Sequence, residues 1–301
     1  MLIFSNLGKK GNLGNQLFQI ASTIGIANKN GHGFAFPKWQ YATYFNFNFP
    51  LFDSNKNYQV LKEAGFHYSE VTLEVGCYDL NGWFQSENYF DKQAVKQCFE
   101  FQSNLVSQVK EKYKEALSKK TILISVRRGD FVNHPYYFQL DYRYYLLGIM
   151  KNFPDWKERN LIFTSDDIDY CKNHFKFLSN AIFVEKLNAI EQLILGTLCD
   201  DFVISNSTFS WWQAWLGEKK ETKIVRPIQN FRGKFKSQND DKDYFPDRWI
   251  AFTAEGRRVE PKYWKLIFKG EFFKIIDNIK YYYRLLIKRT KKFIKRIIGR
   301  A

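Results

Sequence analysis

The sequence predicts an α/β protein of two doubly wound, parallel-sheet units, with the chemistry on the loops that leave the strands. Three observations lead there. From residue 121 onward, short apolar runs rich in β-branched residues alternate with helical segments. A short strand, a glycine-rich loop and an amphipathic helix open the chain, which is a Rossmann-like beginning. The length, 301 residues, exceeds the roughly 150 residues of one compact unit.

Taken in order, residues 2–5 read as a strand and residues 8–14 as a glycine-rich loop. Residues 15–28 read as a helix with Leu17, Ile20, Ala21, Ile24 and Ala27 on one face. Residues 33–36 suit a second strand. The aromatic stretch 39–52, broken by Asn and Pro, has no period and reads as a loop-rich connection. Residues 77–83 look extended, and residues 88–117 carry one long amphipathic helical pattern that closes a first unit, 1–119. The second unit, 120–261, has strand-like runs at 122–126, 161–164, 182–184, 202–205 and 223–225, with helical segments between them. Such alternation implies right-handed crossovers in a parallel sheet. A tail, 262–301, follows.

Composition narrows the class. At 45% hydrophobic and 19% aromatic the chain is too apolar for disorder. Cys77, Cys98, Cys171 and Cys199 have no paired spacing, which argues against a disulfide scaffold or structural zinc and fits a reducing compartment. The start lacks the pattern of a secretory signal, and no apolar run approaches about 18 residues, so neither export nor a membrane span is expected. The net charge is +15, but residues 262–301 hold 13 Lys and Arg against Glu271 and Asp277, leaving only +4 on the first 261 residues. The body is therefore not a nucleic-acid-binding face. In the tail, Phe272, Ile276, Ile279, Tyr283, Leu286, Thr290, Phe293 and Ile297 recur at helical spacing among basic residues. Such a helix serves either an anionic membrane surface or packing on protein.

Four constellations carry candidate chemistry. The glycines of residues 8–14 permit close backbone approach at a helix mouth, although the spacing is neither a Walker loop nor Gly-x-Gly-x-x-Gly; Asn15 and Gln16 add amide groups there. Arg127, Arg128, Gly129 and Asp130 follow a strand where α/β sheets bind ligands, and a guanidinium fork matches phosphate oxygens. Thr164, Ser165, Asp166 and Asp167 end another strand; helix capping by Ser165 or Asp166 competes with a metal pair or a carboxylate facing a guanine edge. Asn206, Ser207, Thr208 and Phe209 open an aromatic helix whose first turn suits a phosphate, with Trp211, Trp212 and Trp215 as core.

In this order the stretches 11–19, 126–131, 163–167 and 205–212 resemble the family 11 glycosyltransferases, the α-1,2-fucosyltransferases, and the likeness extends to 82–87 and 244–249. The resemblance implies a GT-B-like architecture, GDP-β-L-fucose as donor substrate, no cofactor, no divalent metal, and inverting transfer to the 2-hydroxyl of a galactoside in a surface glycan or O-antigen. It implies that Arg127 binds the β-phosphate, that Arg128 supports the loop, and that Asn15 sits near the reacting carbon. Donor contacts are expected from Gly14, Asn15, Gln16, Ser125, Arg127, Asp166 or Asp167, Asn206, Ser207, Thr208 and Phe209. Ser125 departs from the pattern, since many relatives carry His there. Asp130, ahead of Glu87 and His134, is the expected general base. The expected location is cytoplasmic, at the inner membrane face through the tail. The reading from another class is a nonenzymatic membrane- or RNA-binding protein that acts through that tail.

Overall fold

A computed structural model describes residues 1–256 and 260–298. Its architecture is two parallel sheets with helices packed on them, a GT-B-like arrangement. The first sheet has the order β2-β1-β4-β3, from β1 (Leu2–Ile3), β2 (Phe34–Ala35), β3 (Gln59–Lys62) and β4 (Tyr78–Asn81). The second has the order β10-β9-β8-β5-β6-β7, from β5 (Thr121–Val126), β6 (Asn160–Ser165), β7 (Ala181–Phe183), β8 (Asp201–Ile204), β9 (Ile224–Pro227) and β10 (Ile250–Phe252). All pairings between these strands are parallel.

In each sheet the strand order reverses beside the first strand. The chain moves from β1 to β2 on one side and returns on the other as β3, at the edge, and β4, beside β1; likewise it leaves β5 for β6 and β7 and returns as β8. Crevices at such reversals, outside the carboxyl ends of the strands, are where open α/β sheets bind ligands. Both reversals open toward the same space.

The helices hold the sheets in that relation. Helix α1 (Leu13–Lys29), from the first half, packs on α7 (Thr208–Gly217), from the second. Phe18 of α1 lies 4.5 Å from the Trp211 ring and 5.2 Å from Trp212, while Phe90 stacks on Trp212 at 5.5 Å. Trp211, Trp212 and Trp215 are fully buried, and truncating such a side chain costs about 3–5 kcal/mol. A second contact joins α3 (Ser103–Lys112) to α6 (Ala189–Leu198). One hydrophobic cluster therefore runs from Leu2 through the seam to Trp249, instead of a separate core for each half. The second cluster lies on the far face of the larger sheet, beneath α4 (Tyr142–Asn152) and α5 (Ile168–Phe175).

Several expectations need correction. Helix α1 starts at Leu13, so Gly14, Asn15 and Gln16 form its first turn; Asn12 is the extended residue before it. The single helix expected over 88–117 is two, α2 (Lys92–Cys98) and α3, because Phe99 and Phe101 turn inward and Phe101 bridges and stacks on Phe45. Strands β3 and β10 gave no sequence signal: β3 is largely exposed and β10 only three residues long. The aromatic stretch 39–52 is irregular, as expected, apart from one 3-10 turn, Ala42–Tyr44, and buries Trp39, Phe45 and Phe49, with Trp39 stacked on Phe45 at 5.6 Å. All four cysteines are free. Helix α8 (Gly233–Gln238) belongs to the body, and the tail forms the basic helix α9 (Trp264–Ile298). The Phe293 and Ile297 side chains of the expected stripe lie outside the described residues, as do residues 299–301.

Candidate active site

Between the two halves lies a cleft of about 770 Å³, lined from both strand-order reversals. On one side stand Gly11–Gln16 at the mouth of α1, with Trp83 and Gln85 beyond β4. On the other stand Ser125–Arg127 at the end of β5, Thr164–Asp166 at the end of β6, and Asn206–Phe209 at the mouth of α7. Helix N-termini present unpaired N–H groups and a favourable field to an anion, and here two of them converge.

Their approach depends on Gly14. A Cβ there would lie 2.6 Å from the Phe209 amide nitrogen and 2.7 Å from Thr208 Oγ1, so only glycine lets the two first turns meet. Ser207 caps α7 by accepting the Ser210 N–H at 3.2 Å. Thr208, Phe209 and Ser210 of that first turn line the cleft.

Arg127 is the only Lys or Arg among the described residues lining the cleft, and Asp130 and Asp166 are the only carboxylates. Its Nη2 donates to Asp130 Oδ1 at 2.5 Å and its Nη1 pairs with Asp166 Oδ2 at 3.2 Å, while its buried Nε has no partner. Asp166 also accepts the Arg128 N–H at 2.8 Å, which fixes the turn after β5. Gly129 permits this, since a Cβ would fall 2.4 Å from Asp166 Oδ2. Arg128 points the other way, its guanidinium 3.9 Å from the Tyr170 ring centroid, as a loop support would.

The acidic pair divides its work. Asp167, not Ser165 or Asp166, caps α5 by accepting the Tyr170 N–H at 3.1 Å, and it does not line the cleft. Asp166 does. No three His, Cys, Asp or Glu side chains come together as a metal-binding group among the described residues.

Three expected donor contacts reach the cleft wall with their polar groups committed. Gln16 donates to Gly11 O at 2.9 Å and accepts from Trp39 Nε1 at 2.8 Å, bracing the glycine-rich loop. The Ser125 hydroxyl is bonded to Ser210 Oγ and Gln213 Oε1 beneath the floor. Buried in that network, the serine at this position acts as a strut. The Asn206 amide donates to Asn230 O at 2.9 Å and Phe138 O at 3.2 Å, tying two loops to β8. Asn15 accepts from Gln85 Nε2 at 2.8 Å, which aims its own amide nitrogen group toward the cleft side of the helix mouth.

Of the candidate bases, Glu87 is removed from the site. It is buried in the seam, where it accepts from Lys92 Nζ and Trp215 Nε1 at 3.0 Å and pairs with Arg248. Burial pushes its carboxyl up, but those three donors outweigh burial and hold it below the ordinary value. His134 packs against Tyr136 and Tyr137 and does not line the cleft. Asp130 does line it, half of an ion pair with Arg127 and well exposed.

Two groups of lining residues escaped sequence reasoning. One is an aromatic wall at the cleft mouth, where Phe66 meets Phe231 at 4.9 Å and Tyr136 stacks on Phe235 at 4.4 Å. No motif marks them. The other is Trp83, under Lys10 at 4.3 Å, with Gln85. Glu63 anchors their loop by accepting the Trp83 and Phe84 N–H groups at 2.6 and 2.7 Å; Phe84 adopts a positive φ of 48°. The stretch 82–87 signalled this pair only through its family-like pattern.

The chain has relatives among known proteins. The chain is 28% identical over 217 residues to the O-antigen biosynthesis glycosyltransferase WbnK of Escherichia coli, covering 64% of this chain and 71% of that protein. It is 27% identical over 189 residues to an alpha-1,2-colitosyltransferase of Escherichia coli, covering 58% of this chain and 62% of that one. Among solved structures it is similar to the fucosyltransferase NodZ from Bradyrhizobium, with a TM-score of 0.49 at 12% identity over 70% of this chain and 91% of that chain. The apo form of POFUT1 gives a TM-score of 0.48 at 13% identity over 75% and 97%. The model of glycosyl transferase family 11 matches residues 8–253, which include every strand of both sheets but β1 and every wall of the cleft, and the chain belongs to that family.

Proposed function

We propose that the protein transfers L-fucose from GDP-β-L-fucose to the 2-hydroxyl of a galactoside in a glycan, with inversion to an α linkage. The observation that carries this reading is Arg127. It is the one Lys or Arg among the described residues lining the cleft, placed at a strand-order reversal beside the α7 N-terminus and across from that of α1.

In this reaction the acceptor oxygen bonds to the fucosyl C1 as the bond from C1 to the β-phosphate oxygen breaks. GDP leaves with the electron pair, and the acceptor hydroxyl loses its proton. The sugar gains oxocarbenium character while negative charge grows on the departing phosphate. Donors fixed in advance at that phosphate act where charge develops, so they lower the barrier without reorganising. Arg127 supplies a planar fork and α7 supplies N–H groups at Thr208 and Phe209. The phosphate then takes the place of Asp130 on Arg127. Asp130 is exposed enough to move aside, and once released it is the carboxylate available to receive the acceptor proton.

The neutral amides of Asn15 and Gln85, with Trp83 and Tyr41, suit a sugar hydroxyl face and form the acceptor side of the cleft. The test is GDP release from GDP-fucose with galactoside acceptors in the presence of EDTA, with the product linkage read by NMR. Acceptor-dependent turnover giving an α-1,2 linkage is expected. Absence of GDP-fucose binding would overturn the donor, and a different linkage would overturn the acceptor position.

A second reading follows from the colitosyltransferase relative. Colitose lacks the 3-hydroxyl of fucose, and a site that hydrogen-bonds this hydroxyl rejects the deoxy sugar by roughly 10⁴-fold or more, whereas an apolar contact discriminates weakly. Competition between the two GDP-sugars for one preparation separates the readings.

A further inference from the structure

We propose that α9 is a membrane-docking helix that binds an anionic lipid bilayer through its outward apolar stripe and the basic residues that flank it. Amphipathic helices of soluble proteins turn their apolar stripe toward the core. Here a second apolar stripe faces outward as well.

The face of α9 that touches the body carries Leu266, Ile267 and Phe273 beside polar groups that anchor it. Glu271 accepts from Tyr142 at 2.8 Å, Lys274 donates to Asp141 at 2.7 Å, and Asp277 bonds to His174 Nε2 at 2.8 Å. The residues at steps of three and four on roughly the opposite face are Phe268, Phe272, Ile275, Ile279, Tyr282 and Leu286, and each is more than half exposed. Ile276, which the sequence pattern placed in the stripe, is half-buried, and Ile275 takes its place. Trp264, 65% exposed, begins the same stripe, as aromatic residues do at bilayer interfaces.

Charge identifies the occupant. The two acids of the helix, Glu271 and Asp277, are both turned to the body, and no acid follows Asp277. What faces outward is apolar and basic. A second copy packed along the stripe would set like charges against like charges where a helical pair needs complementary flanks. A nucleic acid would leave the apolar stripe in water. An anionic bilayer satisfies both features, taking the apolar face into the headgroup boundary and neutralising the flanks. No described helix is long and apolar enough to cross a membrane, so α9 would lie in the interface plane.

The docked end of α9 also lies behind the cleft. His174, which holds Asp277, sits 4.2 Å from the Tyr170 ring, and Tyr170 carries the guanidinium of Arg128 beside Arg127. Binding through α9 would therefore present the cleft in a fixed attitude to the lipid surface. This inference does not depend on which sugar is transferred.

The experiment is sedimentation of the full chain with vesicles of phosphatidylglycerol and phosphatidylethanolamine, against vesicles of phosphatidylcholine alone. Wild type is expected to pellet with the anionic vesicles and to be released by high salt. The Phe272→Glu/Ile279→Glu/Leu286→Glu variant should stay in the supernatant. An Arg284→Gln/Arg289→Gln/Lys291→Gln variant, which leaves the stripe intact, should partition roughly fivefold more weakly per residue removed. Failure of wild type to pellet, or equal pelleting of the glutamate variant, would overturn the proposal. So would a dimer that the glutamate variant dissolves, or RNA binding, in the absence of vesicle binding.

Discussion

The two halves facing the cleft obey one topological rule with different materials. The larger sheet has β5 and β6 of six residues each, and its loops bring the cleft's cation and both carboxylates, Arg127, Asp130 and Asp166. The smaller sheet has strands of two to four residues, and its loops bring neutral groups: Gln40, Tyr41, Trp83, Gln85 and the Asn15 amide. A charged wall opposite a neutral one is what transfer from a nucleotide to a hydroxyl requires. The leaving group develops charge and needs fixed counter-charge, whereas an incoming sugar needs shape and uncharged hydrogen bonds.

The largest test of this contrast sets Arg127→Ala against Gln85→Ala in GDP-release kinetics. The arginine variant should lose about a hundredfold or more in kcat/KM, by analogy with removal of one preorganised donor. The glutamine variant should lose roughly tenfold, mainly through KM, the size of one neutral hydrogen bond. Equal losses would dissolve the contrast.

At the seam where the halves meet, Gly14→Ala puts a methyl against the backbone of Thr208 and Phe209. Overpacking of that kind costs about 1–3 kcal/mol, to be read as a lower midpoint in urea unfolding. An unchanged midpoint would mean that the two helix mouths are not in contact in solution.

Asp130→Asn sharpens the assignment on the charged wall. A counter-ion that the phosphate displaces can be neutralised with a loss of less than about tenfold in kcat, while loss of a general base costs roughly 10²–10⁴-fold. The pH profile of kcat separates the two, because only a base imposes an acidic limb.

The smallest effects are opposite pH slopes from one buried and one half-buried carboxyl, Glu87 and Glu63. Glu87 is held below the ordinary value despite burial, so its contribution to stability is full above the unfolded carboxylate range and is lost as pH falls through the lowered folded value. In Glu63 burial outweighs the Trp83 and Phe84 N–H bonds and raises the folded value. Its contribution is therefore full below the unfolded value and is lost as pH rises through the folded one. Unfolding free energies of Glu87→Gln and Glu63→Gln measured across the acid range should diverge from wild type with opposite slopes. Parallel slopes would refute the two environments.

The charged wall was the more legible in sequence for a physical reason. Motifs in residues 126–131, 163–167 and 205–212 sit at the ends of buried strands, where apolar runs mark the position of each loop in the fold. The neutral wall lacks such markers. Its strands are too short to show a period, and Phe66 comes from a segment with no pattern at all. Within the motifs themselves, residue type did not reveal direction: Arg127 and Arg128 are identical in chemistry, and only packing on Tyr170 turns one away from the cleft.

By itself the sequence determined the alternation of strand and helix, the glycines at the helix mouths, and the separation of a nearly neutral body from a basic helix. These are local properties, set by backbone sterics, periodicity and composition. Only the tertiary structure decided that Gln16, Ser125 and Asn206 are braces, that Glu87 belongs to the seam, that Asp167 caps while Asp166 faces the cleft, and that α9 turns an apolar stripe outward. Each of those depends on partners distant in the chain, and a polar side chain takes its role from whichever donor or acceptor the fold brings within hydrogen-bond reach.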